Sequence, residues 1–242
     1  MPPEPSDLRA AVAAYWKLKA GQLALAEAAG SSAEGTSKAV RGGGHFAPIA
    51  ALIARFFTEA GYPVSSIATG QRDARTTLPG YFRPTKDWDL VVSHRGVLVA
   101  AIELKALGGP SFGNNYNNRI EEALGNAVDL SRANLQALVG PERPWLGYFF
   151  VMEDHPKSRA PGGRPRGDPF VSGREWSGRS YQERFVLTGE RLIDEGTYDA
   201  LCYVVSSPQT PAPIEPSKRL DWRHFSAAIQ ARIAYLANLG YP

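Results

Sequence analysis

The spacing of apolar positions changes several times along the chain, and each change marks an element. Asp7 to Ala29 is rich in Ala, Leu, Glu and Lys and reads as a helix. A Ser/Gly-rich connection ending in Gly42-Gly43-Gly44 leads to a second helix from about His45 to Ala60. There Ile49, Leu52, Ile53, Phe56 and Phe57 recur at helical spacing, Pro48 suits the first turn, and Gly61 ends the run. Gln71 to Lys86 is polar and arginine-bearing, and its Gly and Pro residues predict a loop or irregular strands. Then the period drops to that of strands: Trp88 to Ser93, a turn at His94-Arg95-Gly96, and Val97 to Lys105, the clearest hairpin in the chain. Gly108 to Asn118 begins as a loop. Arg119 to Leu138 reads as a helix with Ile120, Ala123, Leu124, Ala127, Val128, Leu135 and Leu138 on one face. Trp145 to Met152 and Asp199 to Ser206 are apolar strands; Tyr181 to Asp194 and Trp222 to Leu239 are helices. Pro156 to Gly178 is a long loop or flap. The expected fold is α/β (α+β), a mixed sheet flanked by helices.

With 242 residues the chain suffices for one hydrophobic core, and no internal repeat divides it. We expect a single domain, with 1–44 as a helical extension and 86–206 as the core. A formal net charge of +3 is compatible with a polyanionic partner but too weak to identify one. One thiol, Cys202, cannot form an internal disulfide, and its apolar neighbours predict burial. The amino terminus shows no basic start followed by an apolar stretch, and no apolar run has membrane-spanning length, so a soluble, intracellular protein is expected.

Chemistry enters at the hairpin. Residues two apart on a strand share a face, so Glu103 and Lys105 project together. Folding about Arg95-Gly96 brings Asp89 opposite, or nearly opposite, Ile102 and Glu103. Two carboxylates held this close repel unless positive charge lies between them, and oxygen ligands of this kind suit Mg²⁺. Such a cation can acidify a water and stabilise charge on a phosphoryl group. The neighbouring lysine can hold or help deprotonate the attacking water, or neutralise oxyanion charge. The alternative is an ion-paired strand face with Asp89 as a strand-start residue. The nearly continuous apolar run Val97 to Ile102 favours the catalytic reading, because charges at the end of a doubly buried strand need a reason.

Asp89 and Glu103-Leu-Lys105 match the motif of the PD-(D/E)xK nuclease superfamily. The longer stretch Lys86-Asp-Trp-Asp-Leu-Val-Val92, Ala101-Ile-Glu-Leu-Lys105 and Gly109 to Gly125 resembles the XhoI-type restriction endonucleases, densely over about residues 86–130. Trp88 replaces the proline that names the superfamily motif. The resemblance implies a restriction-endonuclease-like core, with Asp89 and Glu103 as metal ligands and Lys105 as the catalytic lysine. It also implies a homodimeric type II enzyme that uses Mg²⁺ to cut both strands of double-stranded DNA at palindromic 5′-CTCGAG-3′, leaving a four-base 5′ overhang. A cognate DNA methyltransferase is expected in the same prokaryotic system, not as a stable complex, and the location would be cytoplasmic. Superfamily enzymes often add a glutamate from a preceding helix, for which Glu59 is a candidate.

Sequence-specific cleavage also needs groups that reach base edges. Asn114, Asn115, Asn117, Asn118 and Arg119 follow the catalytic strand, and Asn pairs with adenine as Arg does with guanine. Alternatively these asparagines form a polar loop that caps the Arg119 helix, Asn118 in particular. Arg159, Arg164, Arg166, Arg174 and Arg179, in the 157–180 loop with Trp176 and Tyr181 nearby, can supply phosphate contacts or simply be solvated. Gln71, Arg72 and Arg75 form a smaller patch of the same ambiguity. His45, His94, His155 and His224 lack ligand spacing and read as structural or surface residues. Two other functions remain open: a structure-selective or repair nuclease of the same superfamily, and a DNA-binding protein that does not cut. The terminal helix from Trp222 is one possible dimer contact.

Overall fold

The computed structural model describes residues 3–28, 44–70, 73–109, 111–163, 170 and 173–241. Seven strands are described: β1 (Ile67–Thr69), β2 (Thr77–Pro79), β3 (Thr85–Asp87), β4 (Leu90–His94), β5 (Val97–Leu107), β6 (Trp145–Glu153) and β7 (Ala200–Ser206). The helices are α1 (Pro5–Ala28), α2 (Ala47–Glu59), α3 (Phe112–Leu135), α4 (Pro156–Arg159), α5 (Tyr181–Asp194) and α6 (Trp222–Asn238). The main sheet has the order β1-β4-β5-β6-β7, antiparallel through β5 and parallel beyond it, so it is mixed as expected. β2 and β3 pair separately as a short hairpin. The Ser/Gly-rich connection, Gln71, Arg72, Arg164 and Arg166 lie outside the described residues.

Helices cover both faces of the sheet. On one side α1, α2 and α6 bury Val12, Tyr15, Ile53, Phe57, Phe225 and Ile229 against Val92, Ile102, Phe149 and Cys202. The opposite layer places α3 and α5 over Val91, Ala101, Tyr148, Phe150 and Tyr203. α1 is thus part of the core, and Trp16 Nε1 donates to Ser206 Oγ at 2.8 Å. Local chemistry fixes the helix starts: Ser180 and Glu183 form a capping box at α5, and Asp221 accepts from the His224 N–H at α6. The hairpin turn puts Arg95 and Gly96 at φ 49° and 78°, the left-handed pair that a two-residue turn requires. Each histidine has a structural partner; His94, for example, meets Ser66 Oγ at 2.7 Å. No helix among the described residues is long and apolar enough to cross a membrane.

Three expectations need correction: the stretch read as a loop from Pro156 opens with the short helix α4, which His155 and Ser158 cap, and the other two lie at α3. The helix begins at Phe112, not Arg119, so Asn114 to Asn118 are helical, and the residue before the helix is Ser111 rather than Asn118. Asparagine's weak helix propensity masked this start; the buried Phe112 and Tyr116, four residues apart, anchor the added turns. Nor is the apolar face single. Ala123, Ala127, Leu130 and Ala133 are buried, whereas Leu124, Val128, Leu135 and Leu138 stand exposed.

α5 docks chiefly through Phe185, whose ring stacks on Phe150 with centroids 3.7 Å apart. Replacing Phe185 by Ala should cost about 3–5 kcal/mol of stability, the usual loss for a truncated core aromatic. Urea unfolding checks this; a loss below about 1 kcal/mol would contradict the packing described.

Candidate active site

The position of the site follows from one irregularity in the hairpin. His94 pairs with Val97 and Ser93 with Leu98, but Val92 pairs with Ala100, so β5 carries an extra residue. Beyond this bulge Leu90 faces Ile102, which sets Asp89 beside Glu103. Without it Asp89 would stand beside Ile102, whose side chain enters the other core layer. Asp89, Glu103 and Lys105 therefore share the α3 side of the sheet, where β5 emerges from the core.

The three groups converge. Lys105 Nζ is 3.6 Å from Asp89 Oδ2 and in direct contact with Glu103 Oε1. Asp89 Oδ2 also accepts the Leu104 N–H at 2.8 Å, which ties one strand's carboxylate to the other's backbone. The Glu103 side chain is only 1% exposed. A second ammonium, Lys86 on β3, reaches Glu103 Oε2 at 2.8 Å while lying over the Trp88 ring. Two carboxylates thus meet two ammonium groups. Burial, reinforced by Glu103, raises the Asp89 carboxyl above its ordinary range despite Lys105, the Leu104 N–H and Lys86. Burial works against the Lys105 ammonium, but Glu103 and Asp89 outweigh it and hold its pKa above the usual lysine value. In this ion-paired arrangement the Lys105 ammonium serves as a hydrogen-bond donor to the carboxylates.

α3 flanks this cluster with one face. Asn126 Nδ2 donates to Glu103 Oε1 at 3.3 Å and Arg83 Nη2 donates to Asn126 Oδ1 at 2.7 Å. Asp129, buried one turn on, accepts Arg83 Nε at 2.7 Å and the N–H groups of Tyr81 and Phe82 at 2.7 and 2.8 Å. Burial opposes ionisation of Asp129, but the Phe82 N–H, the Arg83 guanidinium and the Tyr81 N–H together hold its carboxyl below the ordinary value. Lys86, Arg83, Asn126 and Asp129 were not among the sequence candidates. The available signal was at α3: Asn126 and Asp129 are polar interruptions beside the buried series Ala123, Ala127, Leu130.

The asparagine-rich turns divide between two sides of α3. Asn115, Arg119, Glu122 and Asn126 recur at helical spacing on the side where Asn126 meets Glu103, and Arg119 pairs with Glu122. Asn114 and Asn117 instead line a cleft of about 630 Å³ with Tyr116, Trp176, Tyr181 and Arg184. Asn118 is exposed. Arg174 and Arg179 are exposed in the segment that carries Trp176 to that cleft, and Arg179 Nε donates to the Glu175 carbonyl. Glu59 is exposed at the end of α2, across the sheet from Glu103, and is not among the charges that act on Asp89. Among the described residues no three His, Cys, Asp or Glu side chains gather as a metal cluster. The donor set here is two carboxylates, oxygen only, which fits a hard cation that retains waters and not a metal needing His or Cys.

Comparison with known proteins points the same way. The family model described as restriction endonuclease XhoI matches residues 26–214. The type II restriction enzyme XhoI of Xanthomonas vasicola is 36% identical over 235 residues, 97% of this chain and 90% of that protein. BstVI of Geobacillus stearothermophilus, another type II restriction enzyme, is 37% identical over 183 residues, 72% of this chain and 79% of that one. AbrI of Azospirillum brasilense, also a type II restriction enzyme, is 54% identical over 89 residues, 36% of this chain and 40% of its own length. No solved structure matches the chain.

Asp129→Ala should destabilise the protein by about 1–3 kcal/mol at neutral pH, because three donors lose a buried acceptor. With a folded value below the ordinary 3.8, this contribution is present above that pH and lost as pH falls through the lowered value. Urea unfolding of both proteins as a function of pH checks it: their difference should shrink in acid, and a difference that grew in acid would contradict the sign.

Proposed function

The chain belongs to the XhoI restriction endonuclease family, and from that premise we propose that it hydrolyses phosphodiester bonds in double-stranded DNA at Asp89, Glu103 and Lys105, with Mg²⁺ as cofactor. The observation that carries the reading is the meeting of the buried Glu103, the half-buried Asp89 and the Lys105 ammonium where β5 leaves the core. As a type II enzyme it is a site-specific deoxyribonuclease. The finer reading is a palindromic 5′-CTCGAG-3′ target cut to a four-base 5′ overhang.

Asp89 and Glu103 would hold the cation. When bound, it would supply electrostatic stabilisation of the phosphoryl oxygens and a more acidic water. The chain's own part falls to the lysines. Lys105 Nζ donates to the attacking water and to the phosphoryl oxygen on which charge grows. The water oxygen bonds to phosphorus as a P–O ester bond breaks; the proton the water gives up passes to solvent, and the leaving oxygen takes one from solvent. Lys86 and Asn126 fix Glu103 from two sides. Arg119, Asn115 and Asn118 are proposed to read or brace the duplex from the adjoining helix, with Arg174 and Arg179 contacting phosphates.

Cutting both strands of a palindrome implies a two-fold dimer. The terminal helix α6 spends Trp222, Phe225, Ile229 and Leu236 on the core. The exposed Leu124, Val128 and Leu135 on one face of α3 suit a second copy better.

Lys105→Ala should reduce plasmid cleavage roughly 100- to 1,000-fold, the usual cost of one lost oxyanion donor, while duplex binding persists. Discrete fragments from a long DNA, with their ends sequenced, should map to CTCGAG; cleavage by Lys105→Ala at the wild-type rate would remove the lysine from the mechanism. Leu124→Asp combined with Val128→Asp should yield monomers in sedimentation, and an unchanged dimer would move the interface elsewhere.

A further inference from the structure

The β2–β3 hairpin is short, yet two of the chain's large exposed rings stand at its tip. Tyr81 is 51% and Phe82 70% exposed, and their rings meet edge to face with centroids 4.8 Å apart. Exposed aromatics on a turn usually move freely, but this turn is fixed. Asp129 Oδ1 accepts both of their backbone N–H groups, Oδ2 holds Arg83, and Gly80 N–H donates to the Pro84 carbonyl at 3.3 Å. A Cβ at Gly80 would lie 2.6 Å from Asp129 Oδ2 and from the Arg83 carbonyl, so only glycine permits this approach. The backbone is held rigid while its two rings are left in solvent.

The same hairpin is tied to the catalytic carboxylate twice. From the tip, Arg83 reaches Asn126 and Asn126 reaches Glu103. From the base, Lys86 reaches Glu103 directly, and β3 runs through Asp87 and Trp88 to Asp89. We propose that the 80–84 turn is a wedge against the DNA duplex, with Phe82 and Tyr81 pressed on a base step or sugar face beside the bond to be cut. The occupant follows from position and charge: the tip carries Arg83, is one short hairpin from the catalytic pair, and joins apolar rings to a cation as a duplex-bending contact does. Arg83 and Asn126 are positioning residues in this account. They set Glu103 according to whether the turn is seated.

The inference rests on the chain being a DNA-cutting enzyme, and the test separates the two. Binding is measured in a Lys105→Ala background, which keeps the duplex intact, on a short duplex carrying the mapped cleavage site with 2-aminopurine at successive steps around it. The parent should brighten the probe at one step as it unstacks. Phe82→Ala should abolish that signal and weaken binding roughly 5- to 150-fold, the range for one lost ring–base contact, with the thermal midpoint unchanged because the side chain is exposed. Asn126→Ala with Lys105 present should lower kcat while leaving KM near wild type, and combined with Lys105→Ala it should leave the probe signal at the parent's level, a split that general loss of fold would not give. Full binding and full fluorescence in both Phe82→Ala and Tyr81→Ala would overturn the wedge while leaving the nuclease reading intact. A wild-type protein that neither binds nor cuts duplex DNA would overturn both.

Discussion

Two carboxylates brought side by side away from water cannot both stay ionised unless matching positive charge accompanies them. Much of the α3 side of this molecule answers that requirement. Lys105 comes from the same strand as Glu103, and Lys86 from a separate hairpin that crosses over to reach it. The irregular segment before β4 is therefore structural equipment for the site, although it contributes little to the core. It places an ammonium where the strand itself offers none. The charges are balanced as they stand, so a divalent cation held by Asp89 and Glu103 would have to loosen one of these ion pairs.

α3 carries three different duties on three sides. Ala123, Ala127, Leu130 and Ala133 seat it on the sheet with small side chains that let it approach closely. Arg119, Asn126 and Asp129 look towards the carboxylates and the β2–β3 turn. Leu124, Val128 and Leu135 look outward. A helix used on every side cannot show the simple two-sided pattern of a surface helix. The same helix thus touches Glu103 through Asn126 and presents exposed apolar residues on its outer side.

That triple use explains where the sequence was legible. The β4–β5 hairpin, β6, α5 and β7 were read to within a residue or two because each has one period and one environment. Asp89, Glu103 and Lys105 could be singled out because charge at the end of a doubly buried strand is conspicuous. α3 was read too short and its apolar residues were pooled onto one face, since two apolar stripes at different angles add up to a single broad one. Lys86 was hidden in a stretch whose Gly and Pro residues signal irregularity but not direction, and its role depends on a partner 17 positions away. Asn126 and Asp129 had ordinary helical neighbours; only the three-dimensional approach of the 80–84 turn gives them meaning.

The bulge in β5 has a wider consequence. The side that Glu103 takes is set by how many residues separate it from the turn, more than by which residues they are. Val99 and Ala100 could exchange for other small apolar side chains and leave the chemistry where it is. Pairing the same residues without the bulge would swap the two sides of everything downstream to Leu107, sending the carboxylate into the aliphatic layer and Ile102 into the cleft. The active site is in this sense written as a count, and its most fragile property is a reading frame that composition does not reveal.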